Sequence, residues 1–361
     1  MANFDLTGLA LSMVCPTNKL IMDDKGLPGV YVERKAQPLN ALLVNGDNSI
    51  HPAFLYYGIQ KDSLFFGKFL AKVHASRAYS LPGEDPTANI TFDTADRYCK
   101  NKGDGHHIMT AAGWAFLALL AKKMGTMPKG NNNYGKDISE SMYQAIPSMA
   151  LDSNGRIQRT ATGTGPLTWS DTGAIDGIFD LCGNVWEWLA GLRLVFGELQ
   201  VIPYNNAADP TIDLSATSTA WRAIRAAATS YNDLFIQPNG TGTTSGSVKL
   251  DRVSGHWQWQ AAAITDQDDS GRSAAFASTT CSGLSAFCKL YLQAMALLPE
   301  DGDTGYGEDM FYANNAAEER LPFRGGNWND GVGAGVFALY FPSPRSHSNI
   351  YVGFRAAFEN L

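Results

Sequence analysis

The chain has 361 residues and a formal net charge of −7, with 45% hydrophobic and only 17% charged residues. Nucleic acid is excluded as an expected partner because no cluster of Lys and Arg is available to neutralise phosphates. Membrane insertion is also not expected, since no apolar run of the sequence is long enough to span a bilayer.

The first residues, Met1–Ile50, are predicted to form an N-terminal extension to a domain that occupies residues 51–361. Apolar runs at Leu27–Glu33 and Asn40–Val44, bounded by turn signals, predict strands. We expect this part to be a small adaptor for assembly or a strand pair laid on the main body. No signal peptide is expected, because Met1–Cys15 lacks a basic flank and a small-residue cleavage site.

Two helices are predicted from start and stop signals. The first covers Thr91–Lys102, with Thr91 or Asp93 as the N-cap and a glycine directly after its end. The second covers Ala111–Met124, where Thr110 caps the start, Ala and Leu favour helix, and Gly125 ends it.

The other predicted elements rest on weaker patterns. Alternating apolar residues over Ala53–Ala75 predict a hairpin of two strands that turns around Gln60–Ser63. Further helices are expected at Ile138–Met149, Ser215–Ala228 and Gly283–Leu298.

Cysteine and histidine show no catalytic or metal-binding spacing. The five cysteines are odd in number and scattered, so reduced thiols are expected at Cys15, Cys99, Cys182, Cys281 and Cys288. The adjacent His106 and His107 cannot share one helical face and are predicted to lie in a loop or at the surface.

Two motifs carry a resemblance to a known family. One is GIFDLCGNVWEW at Gly177–Trp188, and the other is FRGGNW at Phe323–Trp328 followed by GFRAA at Gly353–Ala357. In this order they resemble the formylglycine-generating-enzyme (sulfatase-modifying factor) branch of the C-type lectin fold. The resemblance implies an α+β fold with twisted antiparallel sheets, two helices and, in this chain, a large insert at about residues 194–310.

The motif residues also have a direct physical interpretation. Trp186 and Trp188 lie two residues apart, so in an extended segment both point to one face and can attach a long loop to the core. Gly183 permits backbone geometry that a side chain would block. Arg355 is predicted to be a buried strand arginine paired with a carboxylate, for which Glu187 is the candidate.

A calcium site is implied only by the resemblance. In the enzyme family the segment that matches Asp180, Gly183, Val185 and Glu187 surrounds a calcium ion, and carboxylates at its two ends suit a hard cation. The alternative is that Glu187 pairs with Arg355 and no ion binds. A cofactor is not required for either interpretation.

The oxidase activity of that family is not expected here. Its two copper-binding cysteines would fall on Asp330 and Gly335, which cannot form thiolates. The iron-dependent sulfoxide synthases of the same fold need a histidine triad that this sequence lacks. An oxidase that recruits Cys281 and Cys288 from the insert stays open as the enzymatic alternative.

The C-terminal segment Arg324–Ala357 contains no Lys, Glu, Gln, Met or Cys. It resembles the variable region of the variable proteins of diversity-generating retroelements, where adenine-directed randomisation of AAC-type codons never yields Lys, Glu, Gln, Met or Trp. Such codons can encode the residues at twelve positions, which are the predicted ligand-binding residues: Asn327, Asn329, Asp330, Val332, Gly333, Tyr340, Pro342, Ser343, His347, Asn349, Ile350 and Tyr351. The predicted fixed frame comprises RGG, Trp328, GVFAL, PRS and GFR.

The resemblance implies a non-enzymatic protein that binds a protein or glycan ligand on a host or neighbouring cell surface. Its carrier would be a phage or virus tail or virion, or a microbial cell surface. Tyr, His and Ile supply rigid contact area while Ser, Asn and Asp supply adaptable hydrogen bonds. Homo-oligomeric display is expected, because avidity compensates for modest affinity at each site. A sugar-binding lectin of fixed specificity is the alternative.

Overall fold

Three large sheets, two short hairpins and six helices form an α+β architecture in the computed structural model, which describes residues 4–360. The α+β class predicted from the sequence is confirmed. The helices are α1 (Asp5–Val14), α2 (Leu39–Leu42), α3 (Phe92–Lys100), α4 (Ala111–Met124), α5 (Tyr231–Leu234) and α6 (Ala286–Ala294). None of these helices combines the length and the apolar character that a membrane span needs.

The strands, in chain order, are β1 (Asn18–Met22), β2 (Pro28–Lys35), β3 (Leu55–Tyr56), β4 (Ile59–Gln60), β5 (Ser63–Gly67), β6 (Ala71–His74), β7 (Arg77–Ser80), β8 (His106–Ile108), β9 (Trp186–Trp188), β10 (Leu192–Val195), β11 (Glu198–Val201), β12 (Arg222–Ile224), β13 (Phe235–Ile236), β14 (Lys249–Val253), β15 (His256–Gln260), β16 (Arg272–Ala275), β17 (Thr280–Ser282), β18 (Met310–Ala313), β19 (Leu321–Gly325), β20 (Gly335–Ser343), β21 (Val352–Phe354) and β22 (Ala356–Phe358).

The five-stranded sheet joins the two ends of the chain in the order β1-β2-β5-β22-β8. The strand predicted at Leu27–Glu33 is confirmed as β2. The prediction of a strand at Asn40–Val44 is wrong. Residues 39–42 form the short helix α2, and Leu39 and Leu42 bury one of its faces. The hairpin predicted around Gln60–Ser63 is also wrong: the chain turns earlier, at Tyr57 and Gly58, which both have positive φ, and this frees β5 to pair with β2 and β22.

Helices α3 and α4 confirm the two predicted from capping signals. The Thr91 hydroxyl accepts a hydrogen bond from the Thr94 backbone N–H, and the Thr110 hydroxyl accepts one from Gly113. Gly125 ends α4 in the left-handed conformation at φ +71°. The indole of Trp114 in α4 donates to the carbonyl of Val336 at 2.8 Å, so this helix lies directly behind β20.

The insert builds a seven-stranded sheet from β13-β12-β11-β14-β15-β17, with β10 paired to β11. The helix predicted at Gly283–Leu298 is confirmed as the shorter α6, but Ser215–Ala228 contains the strand β12 instead of a helix. The side chains of Asp213 and Ser218 accept backbone N–H groups there and favour turns over a helix.

The helix predicted at Ile138–Met149 is absent from the structure as well. The Asn132 side chain accepts the Ile138 N–H, and the Asp137 carboxylate accepts the Ser139 N–H. Farther along, the N–H groups of Gln144 and Ser148 donate to the carbonyls of Gly135 and Arg159 instead of to carbonyls one helical turn back. In addition, Pro147 disfavours helix in the residue before it.

The six-stranded sheet has the order β16-β18-β20-β19-β9-β21. It combines strands from the end of the insert, from both sequence motifs and from the segment between RGG and GFR. Because these strands are distant in sequence, the sheet rather than any local element positions the C-terminal segment.

Candidate functional site

The two sequence motifs meet at β9. Trp188 and Glu187 pair with Phe323 and Arg324 of β19, in antiparallel register. On the other side of β9, the strand β21 runs parallel, with Val352 opposite Trp186. Both tryptophans are buried, as predicted for a segment that attaches a long loop to the core.

Gly183 connects the motifs through its backbone. Its N–H donates to the carbonyl of Gly325 at 2.9 Å, its φ is +71°, and a Cβ atom there would lie 2.2 Å from the carbonyl oxygen of Asn131. No side chain fits at this position, so the predicted need for glycine is confirmed.

The predicted pair of Arg355 and Glu187 is confirmed and is fully buried. Arg355 Nη2 and Nε donate to the two carboxylate oxygens of Glu187 at 2.7 and 3.0 Å. The same guanidinium donates to the carbonyls of Gly67 and Phe179 at 3.0 and 2.9 Å. Burial raises the pKa of Glu187 even though the guanidinium opposes this. One guanidinium thus ties the junction between β21 and β22 to β9 and β5.

The four predicted calcium ligands are close in sequence but do not offer a free set of oxygens. Both carboxylate oxygens of Glu187 and the Asp180 carbonyl accept hydrogen bonds from Arg355. The Asp180 carboxylate accepts the Gly163 N–H at 2.9 Å, and burial raises its pKa to about 6. Val185 packs with Trp328. Within residues 4–360, no group of three or more His, Cys, Asp or Glu is arranged to hold a metal. Because Arg355 already takes both carboxylate oxygens of Glu187, this arrangement favours the alternative of an ion pair without a metal. Calcium binding stays an untested prediction.

The arginine of the RGG motif is structural too. Arg324 is buried and donates to the carbonyls of Ala296 and Phe337 at 2.7 and 3.1 Å. Nearby Asp309 accepts the Phe337 N–H at 2.7 Å, and burial raises the pKa of Asp309 to about 7. These contacts fix the start of β20.

The twelve predicted binding positions fall into three groups by the solvent exposure of their side chains. Asn329, Val332 and Ile350 are exposed, and seven others are half-buried: Asp330, Gly333, Tyr340, Pro342, His347, Asn349 and Tyr351. Asn327 and Ser343 are buried, so the structure does not place these two at the surface.

The predicted frame is buried along most of its length, including RGG, Trp328, GVFAL and GFR. Within the PRS part, Pro344 and Ser346 are exposed. Arg345 is held by ion pairs with Glu319 and Asp93 at 2.8 and 2.7 Å. The frame therefore anchors the segment, and the ten accessible positions are carried on it.

The accessible positions are supported by aromatic rings from outside the segment. Tyr340 stacks on Tyr312 of β18 at a centroid distance of 4.6 Å, and lies 5.0 Å from Trp186 and 5.9 Å from Phe323. The composition of the C-terminal segment gives no signal for Tyr312, which sequence reasoning missed. The parallel register of β18 and β20 places it opposite Tyr340.

Other contacts fix the loops around this surface. Tyr351 packs near Trp328 at a centroid distance of 6.3 Å, and His347 lies 5.9 Å from Phe323. The Asp330 carboxylate accepts the Asn327 N–H at 2.8 Å, while burial raises the pKa of Asp330 to about 6. We call the ten accessible positions together the variable face.

Among residues 4–360, the candidate cysteines and histidines form no group that could hold a metal. All five cysteines are free thiols, as predicted. Burial raises the pKa of Cys281 and raises that of Cys288 to about 12, which disfavours thiolates in the insert. The predicted loop or surface location of His106 and His107 is wrong. Both are buried in β8, and burial lowers their pKa values to about 3 and about 4.

No protein-family model matches the chain, and no curated protein matches it. Among solved structures, the chain is similar to PvdO from Pseudomonas aeruginosa, at 12% identity and a TM-score of 0.37, over 95% of this chain and 98% of that one. It is similar to Treponema denticola variable protein 1, at 11% identity and a TM-score of 0.33, over 95% and 99% of the two chains. It is also similar to the U1 variant of the Major Tropism Determinant, at 10% identity and a TM-score of 0.30, over 92% of this chain and 63% of that one. At these values the likenesses decide neither the function nor the ligand of this chain.

Proposed function

We propose that the chain is a ligand-binding protein whose C-terminal surface is diversified by a retroelement. The observation that carries the proposal is the burial pattern of residues 324–357. Ten of the twelve predicted binding positions are accessible, whereas RGG, Trp328, GVFAL and GFR are buried. Exchange at accessible positions alters the surface without creating cavities or strain in the core.

The support of the variable face suits such exchange. Its residues are attached to β20 and to the loops on either side of it, and β20 is held between β18 and β19. A rigid scaffold that carries loop residues is the usual arrangement for binding surfaces with interchangeable residues. Tyr340, Tyr351 and His347 offer ring surface with few rotatable bonds, so binding costs them little conformational entropy.

We also propose a class of ligand and a location for the protein. The ligand is a protein or glycan on a host or neighbouring cell surface, and the carrier is a phage or virus tail or a microbial surface. Binding rather than catalysis is the activity, and oligomeric display raises the apparent affinity through avidity.

The gene's surroundings test this proposal. We expect a near-copy of the region that encodes residues 324–357 close to the gene, with AAC at the codons of the variable face and a reverse transcriptase gene beside it. The control is the region that encodes Val336–Leu339, which must be identical in gene and copy. Absence of both the copy and the reverse transcriptase gene would contradict diversification and favour a lectin of fixed specificity.

A further inference from the structure

The variable face is too small to account for a protein interface by itself. A stable protein–protein interface uses roughly 20–30 residues and about 800 Å² on each partner. The variable face has ten positions, seven of them half-buried, and Gly333 and Pro342 contribute little side-chain surface. If the ligand is a folded protein, residues outside the diversified segment must share the contact.

A candidate for that share is an exposed apolar region on residues 138–146. Ile138, Met142, Tyr143 and Ile146 are 45%, 72%, 62% and 63% exposed. We call these four side chains the fixed apolar patch, since they lie outside residues 324–357. Large apolar side chains that are grouped at a surface indicate an interaction site more often than scattered ones do.

The fixed apolar patch borders the variable face at Ile138 and is linked to it through residues 159–161 at Ile146. A Cβ atom at Gly331 would lie 3.3 Å from Ile138 Cδ1, so Ile138 borders the loop that carries Val332. At the other end, the Ile146 carbonyl accepts the Ala161 N–H, and Arg159 Nη1 donates to the Ile350 carbonyl at 2.9 Å. Val332 and Ile350 are themselves exposed apolar residues of the variable face.

The segment that bears the patch is held in place by polar contacts underneath it. The Asn132 side chain accepts the Ile138 N–H at 2.7 Å, and the Gln144 N–H donates to the Gly135 carbonyl at 3.0 Å. The Asp137 carboxylate accepts both the N–H and the hydroxyl of Ser139. The apolar side chains are thus presented on an ordered segment, which reduces the entropy lost on binding.

We propose that the fixed apolar patch and the variable face form one docking surface, and that its occupant is a folded protein with an apolar surface region. This inference rests on the proposed function and names the class of its ligand. Ile and Met side chains form no strong hydrogen bonds with sugar hydroxyls. Their burial against an apolar protein surface is favourable. The patch provides a contact common to all clones, and the variable face selects among protein surfaces.

The test uses the full chain displayed on yeast, with the ten positions of the variable face randomised and lysozyme as the probe. Several independent binders are isolated, and Met142→Ser, Tyr143→Ser and Ile146→Ser are introduced together into each. We expect Kd to rise about tenfold or more in every clone, as for the loss of central contact residues. The matched control is Val44→Ser with Ile59→Ser, at exposed apolar positions on other elements, and it leaves Kd unchanged.

The outcomes separate the two claims. If no lysozyme binder emerges, this inference is wrong, whereas the proposed function is decided separately by the template copy and the reverse transcriptase gene. If binders emerge and the triple substitution leaves their Kd unchanged, this inference alone is wrong. The assignment to a protein ligand is also overturned if the unrandomised chain is a dimer that the triple substitution dissociates, because a second copy would then occupy the patch. Patch-dependent binders to mannan-coated beads from the same library would overturn it in favour of a glycan.

Discussion

The Arg355→Met variant is expected to lose about 3–5 kcal/mol of unfolding free energy, the usual cost of leaving one charge of a buried ion pair without its partner. Glu187 is buried with Arg355, so its carboxylate loses two hydrogen bonds when the guanidinium is removed. The carbonyls of Gly67 and Phe179 also lose their donor. Chemical denaturation followed by tryptophan fluorescence measures the change.

Two further variants make this expectation specific. Arg156→Met removes the half-exposed pair with Asp152 and is expected to cost about 1 kcal/mol or less. The double variant Arg355→Met with Glu187→Met leaves no unpaired charge, so we expect it to be more stable than Arg355→Met alone. A loss below about 1 kcal/mol for Arg355→Met would contradict the structural role assigned to this pair.

The Trp188→Ala variant is expected to lose about 3–5 kcal/mol, as large-to-small substitutions in a packed core do. Trp188 is fully buried, its indole donates to the Ile90 carbonyl at 3.0 Å, and its ring lies 4.1 Å from that of Phe323. Tyr351→Ala is the matched control, since this aromatic residue belongs to the variable face. We expect the control to cost about 1 kcal/mol or less. Equal losses of unfolding free energy for Trp188→Ala and Tyr351→Ala would contradict the distinction between a buried frame and an accessible variable face.

Local sequence signals predicted the elements that local interactions decide. Helices α3 and α4 were predictable because a threonine cap and a glycine stop act within a few residues of each end. The helix expected at Ile138–Met149 was not borne out, because the N–H groups of Gln144 and Ser148 bond to carbonyls outside this segment. The seven-stranded sheet of the insert depends on pairings such as Glu198 with Lys249, which no local pattern reveals.

The sequence predicted the residues of the candidate site better than it predicted the residues that surround them. Twelve positions were predicted from the residue types of the segment, and Asn327 and Ser343 among them are buried because their environment depends on distant residues. Tyr312 and the fixed apolar patch adjoin the variable face only through the sheet register and the loop contacts. The burial of His106 and His107 likewise follows from pairing with β22, at the far end of the chain.

The central claim is that exchangeable residues are displayed on a fixed frame. The most direct measurement is deep sequencing of the 3′ end of this gene in many independent isolates. We predict substitutions concentrated at the ten positions of the variable face, with Val336–Leu339 and Gly353–Arg355 unchanged. Identical residues at all ten positions across isolates, or substitutions spread equally over buried and accessible positions, would contradict the claim.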